Sequence, residues 1–267
     1  MKSKKLKKWT TLLTCATALT VMTACSQSSS QSTGTTSSTT SKTSVVTATT
    51  SKKTNKNNSN YFTSKDSDTS YNESSATKIK LSGSSADVSG DGAALSGSTV
   101  TISKAGTYVI SGKSDGLQIK VDAGDSDDVH IVLDGVTMTN TNAAINATKT
   151  GHVYLTLKDG TTNTLSDSSS NSDEDADAVI FSKGDLTING SGTLNIDAKK
   201  NNGIKANDSL HMTGGTYKIS SVGDAFNVND ELNITGTTMT IESEEDAVKV
   251  DNDDDTSEVP CIYLTIP

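Results

Sequence analysis

Residues 202–250 read NGIKANDSLHMTGGTYKISSVGDAFNVNDELNITGTTMTIESEEDAVKV, and one short pattern recurs within them. An acidic or amide residue, a small residue and an aliphatic or aromatic residue stand together at 202–204, 224–226 and 246–248, at a 22-residue interval. We call this pattern the head. It also occurs at 115–117, 142–144 and 177–179, which gives successive intervals of 27, 35, 25, 22 and 22 residues. The chain downstream of residue 115 is therefore built from repeated units.

Apolar residues between the heads alternate with polar ones. The alternating pairs are Leu186 and Ile188, Leu194 and Ile196, Leu210 and Met212, Tyr217 and Ile219, Leu232 and Ile234, and Met239 and Ile241. A period of two predicts strands with one buried face, and glycine-rich turns separate the runs. Short strands in units of this length predict an all-β solenoid, a parallel β-helix, in which each unit buries its apolar face against its neighbours. A β-sandwich or propeller is the alternative, but propeller blades need about 40 residues.

The N-terminal third of the sequence has a different composition. Residues 1–24, with a lysine-rich start and a short apolar run, predict a bacterial lipoprotein signal that is cut before a lipid-carrying Cys25. The alternative, a membrane-spanning helix, needs about 20 apolar residues, and the run is shorter. Residues 25–77 are rich in Ser and Thr and predict a disordered tether, so that residues 78–267 form the domain. This organisation predicts a protein held by its lipid on the extracellular face of a bacterial membrane and projecting into the cell wall.

Two segments of the predicted domain depart from the regular repeat. The 35-residue interval contains residues 161–177, TTNTLSDSSSNSDEDAD, which predict a loop that leaves one coil. Residues 97–112, GSTVTISKAGTYVISG, predict a hairpin that caps the open end of the stack.

The charge of the predicted domain restricts its partners. Residues 78–267 contain 13 lysines against 29 aspartates and glutamates, and the chain has no arginine. Nucleic-acid binding needs a basic surface, so we expect no nucleic-acid partner, whereas cations are natural ones. Only Cys261 remains after the predicted lipidation, and no intrachain disulfide is expected.

Three stretches carry a resemblance to a known family. DAVIFSKGDLTINGSGTL at 177–194, NGIKAND at 202–208 and DAVKVDNDDDTS at 246–257 resemble the repeats of bacterial surface proteins called carbohydrate-binding domain-containing proteins. The resemblance covers about residues 78–258. It implies a right-handed parallel β-helix related in architecture to pectate lyases, calcium ions between the coils, and affinity for plant-type polysaccharides.

The head residues are candidate metal ligands. Stacked coils place Asp177, Asn202, Asp224 and Asp246 in a column with the parallel-strand spacing of about 4.8 Å. Carboxylates at that distance repel one another, and a calcium ion with oxygen ligands at about 2.3–2.6 Å would fit between them, with Glu245 beside the column. The alternative is a structural ladder, because Asn and Asp side chains hydrogen-bond the backbone in tight turns. The DEDAD run at 173–177 is open to both interpretations, as a solvated loop or a metal loop.

Polysaccharide contacts are expected beside this column. Alternation places Ile204, Phe226 and Val248 inside, so that Lys205, Asn227 and Lys249 point outward as candidate carbohydrate-binding residues. Each lysine is alternatively an ordinary surface residue or a catalytic base. Tyr154 is the clearest outward-facing aromatic ring, while His130, His152 and His211 face outward without a spacing that predicts a role.

Three functions follow from these residues. The preferred prediction is a surface protein that binds acidic, plant-type polysaccharide with calcium. The second is a calcium-dependent polysaccharide lyase with Lys205 or Lys249 as base; many such enzymes use arginine in that role. The third is a passive adhesin or wall spacer. The family pattern leads one to expect further strands after residue 257, so the ending EVPCIYLTIP suggests a shortened last coil with an exposed sheet edge.

Overall fold

A computed structural model describes residues 42–47, 61–251 and 261–265 of the chain. Apart from one short 3₁₀ helix, Ser64–Ser67, the regular elements of these residues are β-strands. Within the described residues, no helix has the length and apolar character needed to cross a membrane. The predicted signal at 1–24 and the lipidation site Cys25 lie outside the described residues.

The strands form one large and one small sheet. The large sheet contains β1 (Lys42–Thr47), β2 (Thr77–Gly83), β3 (Ser85–Ser89), β6 (Gly106–Asp115), β8 (Asp128–Thr139), β10 (His152–Leu157), β11 (Thr162–Ser166), β13 (Asp185–Gly190), β14 (Thr193–Ala198), β16 (Leu210–Thr213), β17 (Thr216–Ser221), β19 (Glu231–Thr235), β20 (Thr238–Ser243) and β22 (Cys261–Thr265). The small sheet contains β4 (Ala93–Ser96), β5 (Thr99–Ile102), β7 (Gln118–Asp122), β9 (Ile145–Lys149), β12 (Ala178–Ser182), β15 (Asn202–Ala206), β18 (Phe226–Val228) and β21 (Val248–Val250).

Strands that are three apart in the chain pair in parallel. From β12 onward, β12 pairs with β15, β13 with β16 and β14 with β17, and the same relation continues through β20 and β21. The chain therefore passes through three strands before it returns to a neighbouring position. The large sheet curls because β8 pairs with β10 along residues 128–133 and with β11 along residues 137–139. The prediction of an all-β fold with parallel pairing is confirmed.

The apolar residues of the repeat stack into the core. On the small sheet, one buried or partly buried residue from each strand except β4 lies opposite its equivalent in the next: Val100, Ile119, Ile145, Ile180, Ile204, Phe226 and Val248. The predicted pairs from Leu186 to Ile241 are likewise buried. Strands three apart keep these columns in register because each side chain packs on the equivalent one below it.

Two expectations about the edges of the domain are wrong. Residues 97–112 do not form a hairpin, because β5 pairs with β4 and β7 while β6 pairs with β2 and β8. Near this end of the domain, β2 pairs with β3 and β4 with β5 in antiparallel orientation. The turn between β4 and β5 uses Gly97 at a φ of +57°, a value that glycine adopts without a steric penalty. The predicted loop is shorter than 161–177, because Thr162–Ser166 is β11 and the long excursion from the strands is confined to residues 167–177.

The predicted tether also ends earlier than residue 77. Residues 61–72, which we call the strap, lie on the outer face of the large sheet, and Asp66 in its centre is only 2% exposed. Further upstream, the backbone of β1 pairs with β20 in antiparallel orientation. The unusual ending contributes β22, which pairs in parallel with β19 and so continues the large sheet.

Candidate functional site

The head residues of successive turns bond to one another. The side-chain Oδ1 of Asn202 accepts a hydrogen bond from the backbone N–H of Asp224 at 3.0 Å. Asp224 repeats the arrangement, since its Oδ1 accepts from the backbone N–H of Asp246 at 3.1 Å. One turn earlier, the Nδ2 of Asn202 donates to the Oδ2 of Asp177 at 3.2 Å. The heads therefore form a hydrogen-bonded ladder, which is the structural alternative raised by the sequence.

The carboxylates of the ladder have further donors. Asp177 accepts from the Nζ of Lys205 at 2.7 Å and from the Nδ2 of Asn201 at 2.8 Å. The Oδ2 of Asp224, which is 4% exposed, accepts from the Nδ2 of Asn227 at 2.9 Å. Amide and ammonium donors thus offset the repulsion expected between stacked carboxylates, so that the column does not require an ion to be stable.

The head residues and Glu245 were predicted to bind calcium. Calcium takes about 6–8 oxygen ligands, several of them carboxylates. In the part of the chain that the structure describes, no three His, Cys, Asp or Glu side chains are grouped in a way that could hold a metal ion. Glu245 and Asp246 are exposed at the end of the column. In the DEDAD loop, the Oδ1 of Asp173 accepts from the backbone N–H of Ala176 at 2.9 Å, a local turn contact.

The predicted carbohydrate-binding residues do lie side by side. Lys205 is opposite Asn227, and Asn227 is opposite Lys249, on the adjacent strands β15, β18 and β21. Lys205 and Asn227 are bonded to the head carboxylates, and Lys249 is exposed. An ammonium group that donates to a carboxylate is not available to remove a proton, so this geometry gives Lys205 no role as a base.

A second surface, which sequence reasoning missed, lies on the outer face of the large sheet. The side chains at one matched position on seven adjacent strands are Thr107, His130, Tyr154, Thr187, His211, Asn233 and Tyr263. The strap crosses this row. Tyr154 faces outward as predicted, but the ammonium group of Lys65 lies 4.4 Å from its ring centre. The histidines, to which the sequence assigned no role, are part of the same surface.

Asp66 connects the strap to this row. Its Oδ1 accepts from the Oγ1 of Thr187 at 2.6 Å and lies 3.2 Å from the Nδ1 of His211. Its backbone oxygen accepts from the Oγ1 of Thr213 at 2.5 Å and from the Nδ2 of Asn189 at 3.2 Å. One buried residue therefore joins the strap to two adjacent strands, β13 and β16.

The charges at this junction stabilise each other. Burial opposes the imidazolium form of His211, but the nearby carboxylates of Asp66 and Glu231 outweigh this and raise its pKa to about 9. Burial alone would raise the pKa of Asp66, yet the neighbouring imidazolium of His211 and hydrogen bonds from Thr187 and Thr63 hold that pKa well below its usual range. His211 and Asp66 thus form an ion pair at neutral pH.

Aromatic contacts fix the two ends of the strap. Tyr61 stacks on Tyr263 with ring centres 4.1 Å apart, and Phe62 contacts the His211 ring edge-on at 5.7 Å. At the other end, Tyr71 contacts the ring of His130 at 6.0 Å. The strap contains three of the nine Tyr and Phe residues of the chain, and this local enrichment was the signal in the sequence that it is ordered.

Comparisons with known proteins agree with this architecture. In overall structure the chain is similar to a polysaccharide lyase-like protein from C. thermocellum, determined as a gadolinium derivative. The TM-score is 0.56 at 24% identity, over 72% of this chain and 98% of the other. This likeness concerns the fold.

Sequence comparisons identify the family. Over 137 residues the chain is 36% identical to a carbohydrate-binding domain-containing protein of Acetivibrio thermocellus, a match to 49% of this chain and 48% of the relative. The chain thus spans about half the length of the curated relative it matches. The family profile described as carbohydrate-binding domain-containing protein matches residues 96–266, more than half of the sequence. The chain therefore belongs to the carbohydrate-binding domain-containing protein family.

Proposed function

We propose that this chain is a non-catalytic, surface-anchored polysaccharide-binding protein built on a right-handed parallel β-helix. The observation that carries the proposal is the linear repetition of polar and aromatic side chains along the outer faces of both sheets, in a chain that belongs to a carbohydrate-binding family. A polymer of repeated sugar units matches such a surface, because equivalent side chains recur at the strand spacing of about 4.8 Å.

The handedness of the proposed β-helix follows from a general rule. Crossover connections between parallel strands of one sheet are right-handed in about 98% of cases. From β12 to β18, each strand pairs in parallel with the strand three positions later, and the chain between the two is a crossover connection. The fold shared with the polysaccharide lyase-like protein supports the same architecture.

Affinity electrophoresis of the full chain tests polysaccharide binding. We expect retardation in gels that contain a soluble neutral glucan or polygalacturonate, relative to a gel without polymer. Absence of retardation in every polymer, with and without calcium, would contradict the proposal and leave the passive wall spacer. A rise in ultraviolet absorbance on incubation with polygalacturonate, abolished in Lys249→Ala, would instead establish the lyase, because elimination creates an unsaturated product.

The lipid anchor is a second component of the proposal. It rests on the sequence around Cys25, where a lysine-rich start and a short apolar run precede the cysteine. In a bacterial host that processes lipoproteins, the chain should incorporate a labelled fatty acid and fractionate with membranes. The Cys25→Ser variant should do neither; if it is labelled as strongly as the parent chain, the anchor lies elsewhere or does not exist.

Calcium and acidic glycans remain predictions of the sequence. The acidic balance of the chain supports them, whereas the described head residues bond mainly to one another. If calcium binds the folded chain selectively, millimolar calcium should raise the melting temperature relative to chelator and increase retardation by polygalacturonate. Identical melting curves and identical retardation in the two conditions would remove calcium from the proposed function.

A further inference from the structure

A cavity of about 330 Å³ lies between the strap and two turns of the large sheet. Its lining includes Thr69 and Tyr71 of the strap, Lys158 and Asp159 after β10, Ser191 after β13, and Thr213 of β16. We propose that this cavity is a binding subsite for one neutral hexose residue of a polysaccharide, and that the strap is an integral wall of it. This inference rests on the proposed polysaccharide-binding function.

The size and shape of the cavity suit a single sugar ring. Ligand pockets of small molecules start at about 300 Å³, so this space accommodates one hexose unit rather than several. Gly190 borders it at a φ of +98°, and a Cβ added there would lie 2.2 Å from the backbone oxygen of Leu157. The close approach of β13 to the backbone of Leu157 therefore requires glycine at this end of β13.

The lining combines an aromatic ring with charged and hydroxyl groups. A hexose presents C–H groups on its ring faces and hydroxyl groups around its rim, which match an aromatic face and polar side chains respectively. The Oδ1 of Asp159 accepts from the Oγ of Ser191 at 2.5 Å. Because a carboxylate has about four acceptor positions, Asp159 retains capacity for sugar hydroxyl donors.

The charges favour a neutral sugar over a uronate. The only cation in the lining, Lys158, already donates to the Oδ2 of Asp134 at 2.6 Å. Asp159 contributes a further negative charge to the wall. A uronate carboxylate would meet the carboxylate of Asp159 and a lysine whose charge is already paired, an unfavourable balance, whereas a sugar hydroxyl group can donate to Asp159.

Tyr71 is held in place before any ligand arrives. Its ring packs against the cluster of Ala76, Val109 and Val132 and contacts the His130 ring edge-on at 6.0 Å. Upstream, the Nδ2 of Asn189 donates to the backbone oxygens of both Asp66 and Asp68, at 3.2 and 3.1 Å. A wall fixed in this way loses little conformational entropy on binding, which favours affinity. The site is complete only while the strap is docked.

Affinity electrophoresis of full-chain variants in a neutral glucan gel tests the subsite. Tyr71→Ala should weaken the apparent Kd by about tenfold, which corresponds to about 1.4 kcal/mol, while Tyr71→Phe keeps the ring and should stay within about threefold of the parent. Asp159→Ala, on the exposed opposite wall, should weaken binding by about threefold, whereas Asp125→Ala, an exposed acid at a different turn, should leave it unchanged. If the Asp159 and Asp125 variants melt at the same temperature, weaker binding by the Asp159 variant reflects lost contacts with the sugar rather than lower stability of the fold.

The possible failures are distinguishable. If the parent chain binds neither neutral glucan nor polygalacturonate, the proposed function falls and the subsite with it. If the parent binds but Tyr71→Ala and Asp159→Ala bind equally well, the subsite alone is refuted. Stronger binding by Asp66→Asn, which weakens strap attachment, would show that the strap covers the sugar site; the inference predicts weaker binding.

Discussion

On the small sheet, the heads from Asp177 to Asp246 bond to one another from turn to turn, 22 to 25 residues apart, whereas on the large sheet Asp66 bonds to side chains 121 to 147 residues away. On the small sheet, the same hydrogen bond between neighbouring turns recurs along the stack. On the large sheet, one segment, the strap, lies across several turns and contacts each of them. A change in the small-sheet contacts should therefore destabilise one interface between turns, while a change in the large-sheet contacts should release the whole strap.

The largest effect is expected from Asp66→Ala. Removing one partner of a buried ion pair costs about 3–5 kcal/mol, because it leaves the other charge uncompensated. Here the charged partner is His211, and the loss should appear as opening of the strap, measured by amide hydrogen exchange in residues 61–72. Asp68→Ala, at an exposed strap residue, is the matched control and should exchange as the parent does. Unchanged protection in Asp66→Ala would show that the aromatic contacts alone hold the strap.

Raising the pH should weaken the same surface. Because its folded-state pKa is raised, His211 contributes stability that is complete below 6.5 and lost as the pH rises through about 9. The full contribution corresponds to at most roughly 3 kcal/mol. The groups that face the imidazole are Asp66 and Glu231, with His152 nearby. The protection factor of the strap amides, which is the intrinsic exchange rate at each pH divided by the measured rate, should fall between pH 6.5 and 9.5. The His211→Gln variant should lose that pH dependence.

At acidic pH, the stability contributed by Asp66 depends on pH in the opposite direction. The pKa of Asp66 is lowered, so its contribution is present above its ordinary value of 3.8 and is lost as the pH falls through the folded-state value. If the protection factors of the strap amides in the parent chain stay constant from pH 6.5 to 9.5, the ion pair does not hold the strap.

On the small sheet, Asp224→Ala should have a smaller effect. It leaves the backbone N–H of Asp246 and the amide of Asn227 without their acceptor, and an unmade hydrogen bond of a buried group costs about 1–3 kcal/mol. Denaturant unfolding should report this loss, while Glu245→Ala, at an exposed position, should stay within about 0.5 kcal/mol of the parent. Equal stability of the two variants would refute the ladder.

The smallest effect is expected from Lys65→Ala. Lys65 pairs with Asp128 and lies over the Tyr154 ring, but the side chains of Lys65 and Asp128 are 53% and 47% exposed. Surface ion pairs contribute about 0–1 kcal/mol, and exposed cation–π contacts about 0.5–1 kcal/mol. Together these contributions reach at most about 2 kcal/mol, so hydrogen exchange in the strap should rise by no more than about 30-fold at neutral pH. A larger increase would make Lys65, rather than Asp66, the principal attachment.

The sequence predicts the features that recur in every turn, namely the core columns and the outward-facing positions. The heads place Ile204 and Phe226 in one core column and Lys205 beside Asn227 on the outside, because a period of two and a fixed interval determine register in stacked strands. The sequence does not predict which groups bond to each head. Asp177 and Asp224 are compatible with a metal column and with a hydrogen-bonded ladder, and the donors Lys205 and Asn227 become evident only in the structure.

The strap could not be placed from the sequence for a physical reason. Its contacts to Thr187 and Thr213 join residues more than 100 positions apart, and a single short segment has no periodicity that specifies which face it covers. Its Ser, Thr and Lys resemble the preceding residues, and its aromatic residues Tyr61, Phe62 and Tyr71, with the acidic Asp66 and Asp68, distinguish it. The hairpin at 97–112 was misplaced for a related reason, because the turn at Gly97 lies at the start of that segment and pairs β5 with the strand before it.

The most direct test of this account is hydrogen exchange of the full chain with and without a neutral glucan. The account predicts new protection in the strap and in the turns at 157–159 and 190–191, with exchange at 201–207 and 223–229 unchanged. Protection confined to 201–207 and 223–229 would place the sugar on the head side of the small sheet and contradict it.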